Sequence, residues 1–298
     1  MQSTSFINYL QYEKRYSNQT IKAYKVDLSQ FLLFLKEFYQ IDKDPQKVTH
    51  THIRSWLVEL VNKNIAARSI SRKLSTLKTY FRFLQKKGVC SSNPATNVSA
   101  PKSAFRLPKI LEADQVEQLL DEHHFGTDFE GYRNRLIVEL FFETGMRLSE
   151  LLSLSLSSFD LKTQTIKIVG KGNKERILSF SNRLHGTFKE YVTEAKKLFA
   201  FADRDAPLLL TKKGKPIYPK LVHRLLAQKL AWVTTSKHTN PHVLRHTFAT
   251  TLLNNGADLN SIKELLGHSS LAATQVYTHN SIEKIKNIYK KTHPKSSE

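Results

Sequence analysis

Residues 91–109 read SSNPATNVSAPKSAFRLPK, with three prolines and no apolar residue recurring at a helical or strand period. Proline lacks a backbone donor and biases the residue before it away from helix, so no regular element runs through such a stretch. In a chain of 298 residues it marks a boundary. Residues 1–100 read as one domain, 101–109 as a linker and 110–298 as a second, larger domain, each long enough to bury its own core.

Before the linker the apolar residues keep a helical period. Ile21, Tyr24, Leu28, Phe31, Leu32, Leu35 and Phe38 form one stripe, and Ile53, Trp56, Leu57, Leu60 and Val61 another. In 68–88, Ile70, Leu74, Leu77, Phe81 and Leu84 share a side, and Gly88 is placed to cap the helix in the left-handed region. The other side of that helix carries Arg68, Arg72, Lys73, Lys78, Arg82 and Lys86, with no acid in the segment. Such a face is either solvated surface or a surface for phosphates, and the lack of acids favours phosphates.

After the linker, helical patterns resume in EADQVEQLLDEH and YRNRLIVELFFETG. TQTIKIVGKGNKERILSFS differs: two β-rich runs flank a glycine-containing tip at 170–173, which predicts a hairpin. Helices return from about residue 182, and PLLLT at 207–211 is expected as a short strand. The expected fold class is mainly α: a helical N-terminal domain and a mixed, mostly α C-terminal domain with a small β-hairpin.

Charge narrows the function. Lys and Arg number 46 against 26 Asp and Glu, a formal net of +20. Residues 1–100 hold 16 basic and six acidic side chains, so half of the excess lies there and half in the remainder of the chain, and no single basic tail accounts for it. An excess of this size disfavours compaction by self-repulsion, which points to a polyanionic partner. The apolar runs are too short to span a bilayer, no signal-peptide pattern opens the chain, and the lone Cys90 has no internal partner. A reducing cytoplasm is the expected compartment, with no role at a membrane.

The segment PHVLRH at 241–246 places His242, Arg245 and His246 on the first turns of a helix, with Asn240 as cap and Pro241 at its first position. Exposed backbone donors and a guanidinium make a phosphate site. The four-residue step from His242 to His246 suits a metal, although no further ligands accompany it. A plain capped surface helix is the third reading, and these residues alone leave all three open. Upstream, ETGMRLSELLSL stops one helix at Gly145 and stands Arg147 at the entry to the next, where it opposes the helix dipole unless an anion neutralises both. Lys171 sits at the hairpin tip, and His268 follows a helix ending at Gly267, nine residues before Tyr277.

Taken in order, TGMRLSELL, GKGNKER, HVLRHTFATTLL and LGHSSLAATQVYTH resemble the signature boxes of the tyrosine recombinase (phage integrase) family. YSNQTIKAYKVDLSQFLLFL and SISRKLSTLKTYFRFL resemble the core-binding domain of its Xer-type branch. The resemblance implies a two-domain clamp on DNA and a site-specific recombinase working through a 3′-phosphotyrosyl intermediate and a Holliday junction. It implies Tyr277 as nucleophile, Arg147 and Arg245 as the phosphate clamp, Lys171 as the acid for the leaving 5′-oxygen, and His242 and His268 as assistants. Arg68, Arg72, Lys73 and Lys78 are the expected DNA-binding residues. Glu150 either orients Arg147 or is a plain surface carboxylate. No metal or other cofactor is expected. The implied partners are a duplex recombination site, three further protomers of this or a related recombinase in a tetramer, and a DNA translocase as activator, on the nucleoid. Chromosome dimer resolution is the expected role. Integration of a mobile element, a type IB topoisomerase, a non-catalytic DNA-binding regulator and a metal-dependent nuclease are the alternatives.

Overall fold

The computed structural model describes residues 2–42, 44–101, 110–170, 174–199, 203–235 and 239–267. The chain divides into two compact units, Met1–Arg106 and Leu107–Glu298.

The first unit is all helical. Helix α1 (Gln2–Asn8) runs into a wider turn over Tyr9–Glu13, followed by α2 (Asn18–Tyr39), α3 (His50–Asn62) and α4 (Ala67–Lys86). Ser17 caps α2 by accepting from the Thr20 amide, and Gly88 is left-handed at φ 69° two residues past α4. The core is Phe6, Leu10, Leu28, Phe31, Leu35, Ile53, Trp56, Ile70, Leu77 and Phe81, with the Phe31 and Trp56 rings 5.0 Å apart. Phe38 and Val61, at the edges of their predicted stripes, are exposed.

Helix α4 buries more than the predicted stripe. A second row, Lys73, Thr76, Tyr80 and Phe83, is also buried, at steps of three and four residues. Lys73 therefore does not belong to the solvent face on which the sequence reading put it. Its ammonium donates to Asp27 at 3.0 Å and to Gln30, and lies 5.8 Å from the centre of the Trp56 ring. Asp27 is itself inaccessible and also accepts from Thr76 (3.1 Å) and from Arg72. A buried carboxylate needs partners, and α4 supplies three of them. Arg68 and Arg72 are exposed and Lys78 is half-buried.

The second unit is built around α6 (Phe129–Thr144), buried on all sides over its last two turns. Before it comes α5 (Ala113–Leu120); after it come α7 (Leu148–Leu152), a three-stranded antiparallel sheet in the order β1 (Phe159–Asp160), β2 (Thr165–Val169), β3 (Glu175–Ser179), and then α8 (Asn182–Leu198), α9 (Pro219–Val233), α10 (Pro241–Asn254) and α11 (Leu259–Leu266). Helices α8 and α10 pack on α6. The predicted hairpin is β2–β3, with Ile166 opposite Leu178 and Ile168 opposite Arg176. The segment 207–211 is not a strand. It makes only isolated bridges, Ser155 with Pro207 and Leu210 with Pro216, and is tied down by the Tyr191 hydroxyl, which donates to the Leu208 carbonyl (2.9 Å) and accepts from the Leu210 amide (3.1 Å). Its leucines are buried, which explains the apolar run without a ladder. Among the described residues no helix is long and apolar enough to cross a membrane.

Candidate active site

Gly145 turns the chain at the heart of this unit. It ends α6 with φ 56°, and a Cβ there would stand 2.5 Å from Phe248 Cδ1 of α10. Both the left-handed backbone and the close approach demand glycine. The turn sets Arg147 at the N-cap of α7 and directs the Gly145 carbonyl at α10, where it accepts from Arg245 Nη1 at 2.5 Å.

Arginine at a helix start is unfavourable beside the positive end of the dipole. Glu150, one turn on, offsets this: Oε2 accepts from the Arg147 amide (2.7 Å) and Oε1 from Arg147 Nη1 (3.0 Å). Glu150 is 2% exposed, which removes the surface-carboxylate reading. Its other partner is Arg176 of β3, which donates from Nη1 to Oε1 (2.8 Å) and from Nη2 to Oε2 (2.7 Å). Burial pushes the Glu150 carboxyl up, but the bonds and charge of Arg176, with those of Arg147, outweigh it and hold the group at about 2.

The end of α11 holds three arginines together. Carbonyls of the last turn of a helix have no partner within it and carry the negative end of the dipole. Here Leu265 accepts from Arg176 Nε (3.0 Å), Leu266 from Arg245 Nη2 (2.7 Å) and Gly267 from Arg147 Nη2 (3.1 Å). Three consecutive carbonyls thus fix three guanidiniums that reach the site from α10, β3 and the turn before α7. Arg245 is 7% exposed, and its pKa falls to about 10, first through burial and then through the charges of Arg147 and Arg176, against a smaller pull from Glu150. Arg147 remains one-third exposed, so the pair presents a buried cation behind an accessible one.

His242 sits at the start of α10, its amide capped by Asn240 Oδ1 at 2.9 Å. Its pKa is lowered by partial desolvation and further by the charges of His246, Arg245, His223 and Arg147. The guanidiniums that do this also oppose a divalent cation, so the electrostatics disfavour the metal reading of His242 and His246. Lys171, His268 and Tyr277 lie outside the described residues. The neck of the hairpin tip is described: the Gly170 amide donates to the Lys174 carbonyl at 2.7 Å, and a Cβ on Gly170 would lie 3.3 Å from Glu150 Oε1. The residue before Lys171 therefore lies beside the carboxylate that holds Arg147.

The sequence reading did not single out Arg176. Its signal was the strand period: Arg176 is in phase with Leu178 on the buried face of β3, and an arginine there requires a buried acid.

A model of the phage integrase family matches residues 109–284, and that of the phage integrase N-terminal SAM-like domain matches 4–88. The chain belongs to the phage integrase family. This recombinase is 37% identical to the tyrosine recombinase XerC of Listeria welshimeri, over 98% of this chain and 97% of that one. It is 38% identical to XerC of Anoxybacillus flavithermus over the same shares. Its fold is also that of XerH site-specific recombinase bound to palindromic difH substrate (TM-score 0.72, 20% identity, 97% of this chain and 80% of that one). The Tn1549 transposon integrase in complex with circular intermediate DNA shares the fold too (TM-score 0.69, 20% identity, 95% and 98%). Membership makes the recombinase an enzyme of site-specific DNA cutting and rejoining.

Proposed function

We propose that the Arg147–Arg245 pair grips the scissile phosphate of a duplex recombination site while Tyr277 attacks it, in the service of chromosome dimer resolution. The carrying observation is the convergence of the two guanidiniums on the end of α11, with Glu150 held ionised behind Arg147. In-line attack builds negative charge on the non-bridging oxygens, and fixed cationic forks match that charge without reorganising. The Tyr277 oxygen forms the new bond to phosphorus as its phenolic proton passes to the His242 and His268 pair, the 5′-oxygen leaves with a proton from Lys171, and a 3′-phosphotyrosyl link remains. Attack by the 5′-hydroxyl of another strand returns a proton to Lys171 while Tyr277 leaves with the proton it gave up, so bond energy is conserved without ATP. His242, beside the clamp with its pKa lowered, and His268 assist these transfers. The XerC names of the relatives at 37% and 38% identity support the chromosomal role over mobile-element integration. The test is a nicked duplex carrying the recombination site, incubated in EDTA: a covalent protein–DNA adduct on a denaturing gel is expected, and its absence overturns the reading.

Residues 1–100 serve as the core-binding domain and 110–298 as the catalytic domain, and Arg68, Arg72 and Lys78 supply phosphate contacts. Lys78→Ala is expected to lower the slope of log K against log salt by about one. Lys73→Met, by contrast, leaves the slope unchanged and lowers the melting temperature, because it strips a partner from buried Asp27. Equal slopes for the wild type and Lys78→Ala would return that face to ordinary surface.

The active unit is a tetramer on DNA, of this chain alone or with a related recombinase, in the cytoplasm on the nucleoid and activated by a DNA translocase. The tail NSIEKIKNIYKKTHPKSSE lies outside the described residues; its sequence has an apolar stripe, Ile282, Ile285, Ile288 and Tyr289, on a helix too short to be stable alone, and the proposed dock is the next protomer of the tetramer rather than its own domain. Deletion of 281–298 is expected to spare half-site binding and abolish strand exchange, measured by mobility shift and by recombinant product. Full recombination by the truncated protein would refute the docking of the tail on a neighbour.

A further inference from the structure

Arg176 contacts what holds each of the two arginines assigned to the phosphate. Two of its nitrogens meet both oxygens of Glu150, the partner of Arg147, and its third meets the Leu265 carbonyl, next to the carbonyl that anchors Arg245. We infer that Arg176 is a positioning residue of the active site, which neutralises Glu150 so that Arg147 keeps its charge for the phosphate. The inference rests on the phosphate reading given above.

The reason lies in how the Glu150 carboxylate is shared. It accepts four hydrogen bonds, two from Arg147 and two from Arg176. A lone carboxylate in contact with Arg147 would cancel that guanidinium and repel an incoming phosphodiester, since a buried anion is weakly screened. With Arg176 paired to it, Glu150 can orient Arg147 without consuming its charge. The strand makes this placement unavoidable: the alternation that sends Leu178 into the core sends Arg176 there too. Arg245, on which Glu150 also acts, is held by the Gly145 and Leu266 carbonyls.

A double-mutant cycle on the full chain tests the inference, read as single-turnover covalent cleavage of a nicked duplex and as half-site affinity. Arg176→Gln in the wild type is expected to slow cleavage about 10²-fold, with affinity kept within about threefold, as for a misplaced clamp. In a Glu150→Gln background, where no charge is left to neutralise, the same change should alter the rate by less than about threefold. A merely structural arginine would cost as much in both backgrounds, and that result, or a wild-type rate for Arg176→Gln, overturns the inference. Should Arg176→Gln fail to fold because it strands a buried carboxylate, Glu150→Gln with and without Arg176→Gln decides alone: equal rates support the role and unequal rates refute it. A wild-type protein that forms no adduct in the same assay would instead sink the recombinase reading of the site, and the inference with it.

Discussion

Tyr277→Phe is expected to bind its duplex site as the wild type does and to form no covalent adduct with it. The change removes one oxygen, so packing and phosphate contacts are kept while the nucleophile is lost. A denaturing gel of protein incubated with nicked duplex in EDTA reads the result directly. An adduct that persists in the Phe variant would assign the nucleophile to another residue and withdraw Tyr277 from the mechanism. Because metal plays no part in the proposed chemistry, adduct formation by the wild type should be the same with and without EDTA. A wild-type yield that EDTA abolishes would contradict the phosphotyrosine route.

Arg245→Lys should be the most costly charge-preserving change in the described part of the site. One guanidinium there spans from the Gly145 carbonyl to the Leu266 carbonyl, 2.5 and 2.7 Å away, and in the proposed function it must also grip the phosphate. An ammonium is a point donor on a longer stem and cannot hold both carbonyls and a pair of phosphate oxygens at once. Loss of one fixed oxyanion donor costs about 10²–10³ in rate, so single-turnover cleavage should fall by that much. Duplex affinity should change little, since one phosphate contact among many is affected. A lysine variant that cleaves within about threefold of the wild type would mean that Arg245 is only a strut between α6 and α11.

The helix ends that carry Arg147, His242 and Arg245 were legible in the sequence. Gly145 and Gly267 follow apolar runs, so the ends of α6 and α11 could be placed, and with them Arg147 at a helix entry. Asn240 and Pro241 likewise marked the start of α10 and put His242 and Arg245 on its first turns. These features are local: a cap, a left-handed glycine or a helical period depends on residues a few positions apart. The same holds for the helices of the first hundred residues and for the β2–β3 hairpin.

Where local pattern failed, a partner distant in sequence decided the matter. Lys73 lies next to Arg72 and shares its chemistry, but Asp27, 46 residues away, draws it into the core while Arg72 stays exposed. The run at 207–211 has the composition of a strand, yet the Tyr191 hydroxyl takes the donor and acceptor that a ladder would have used. Glu150 looked equally like a surface carboxylate until Arg176, 26 residues on, was seen against both of its oxygens. By itself the sequence determined which residues end and begin each helix, and which basic groups stand at those ends, because backbone conformation and capping are settled within a turn or two. Only the tertiary structure decided which charges are buried and with whom. A buried charge survives through compensation by a specific partner, and only packing brings β3, α10 and the end of α11 within hydrogen-bonding reach of one another.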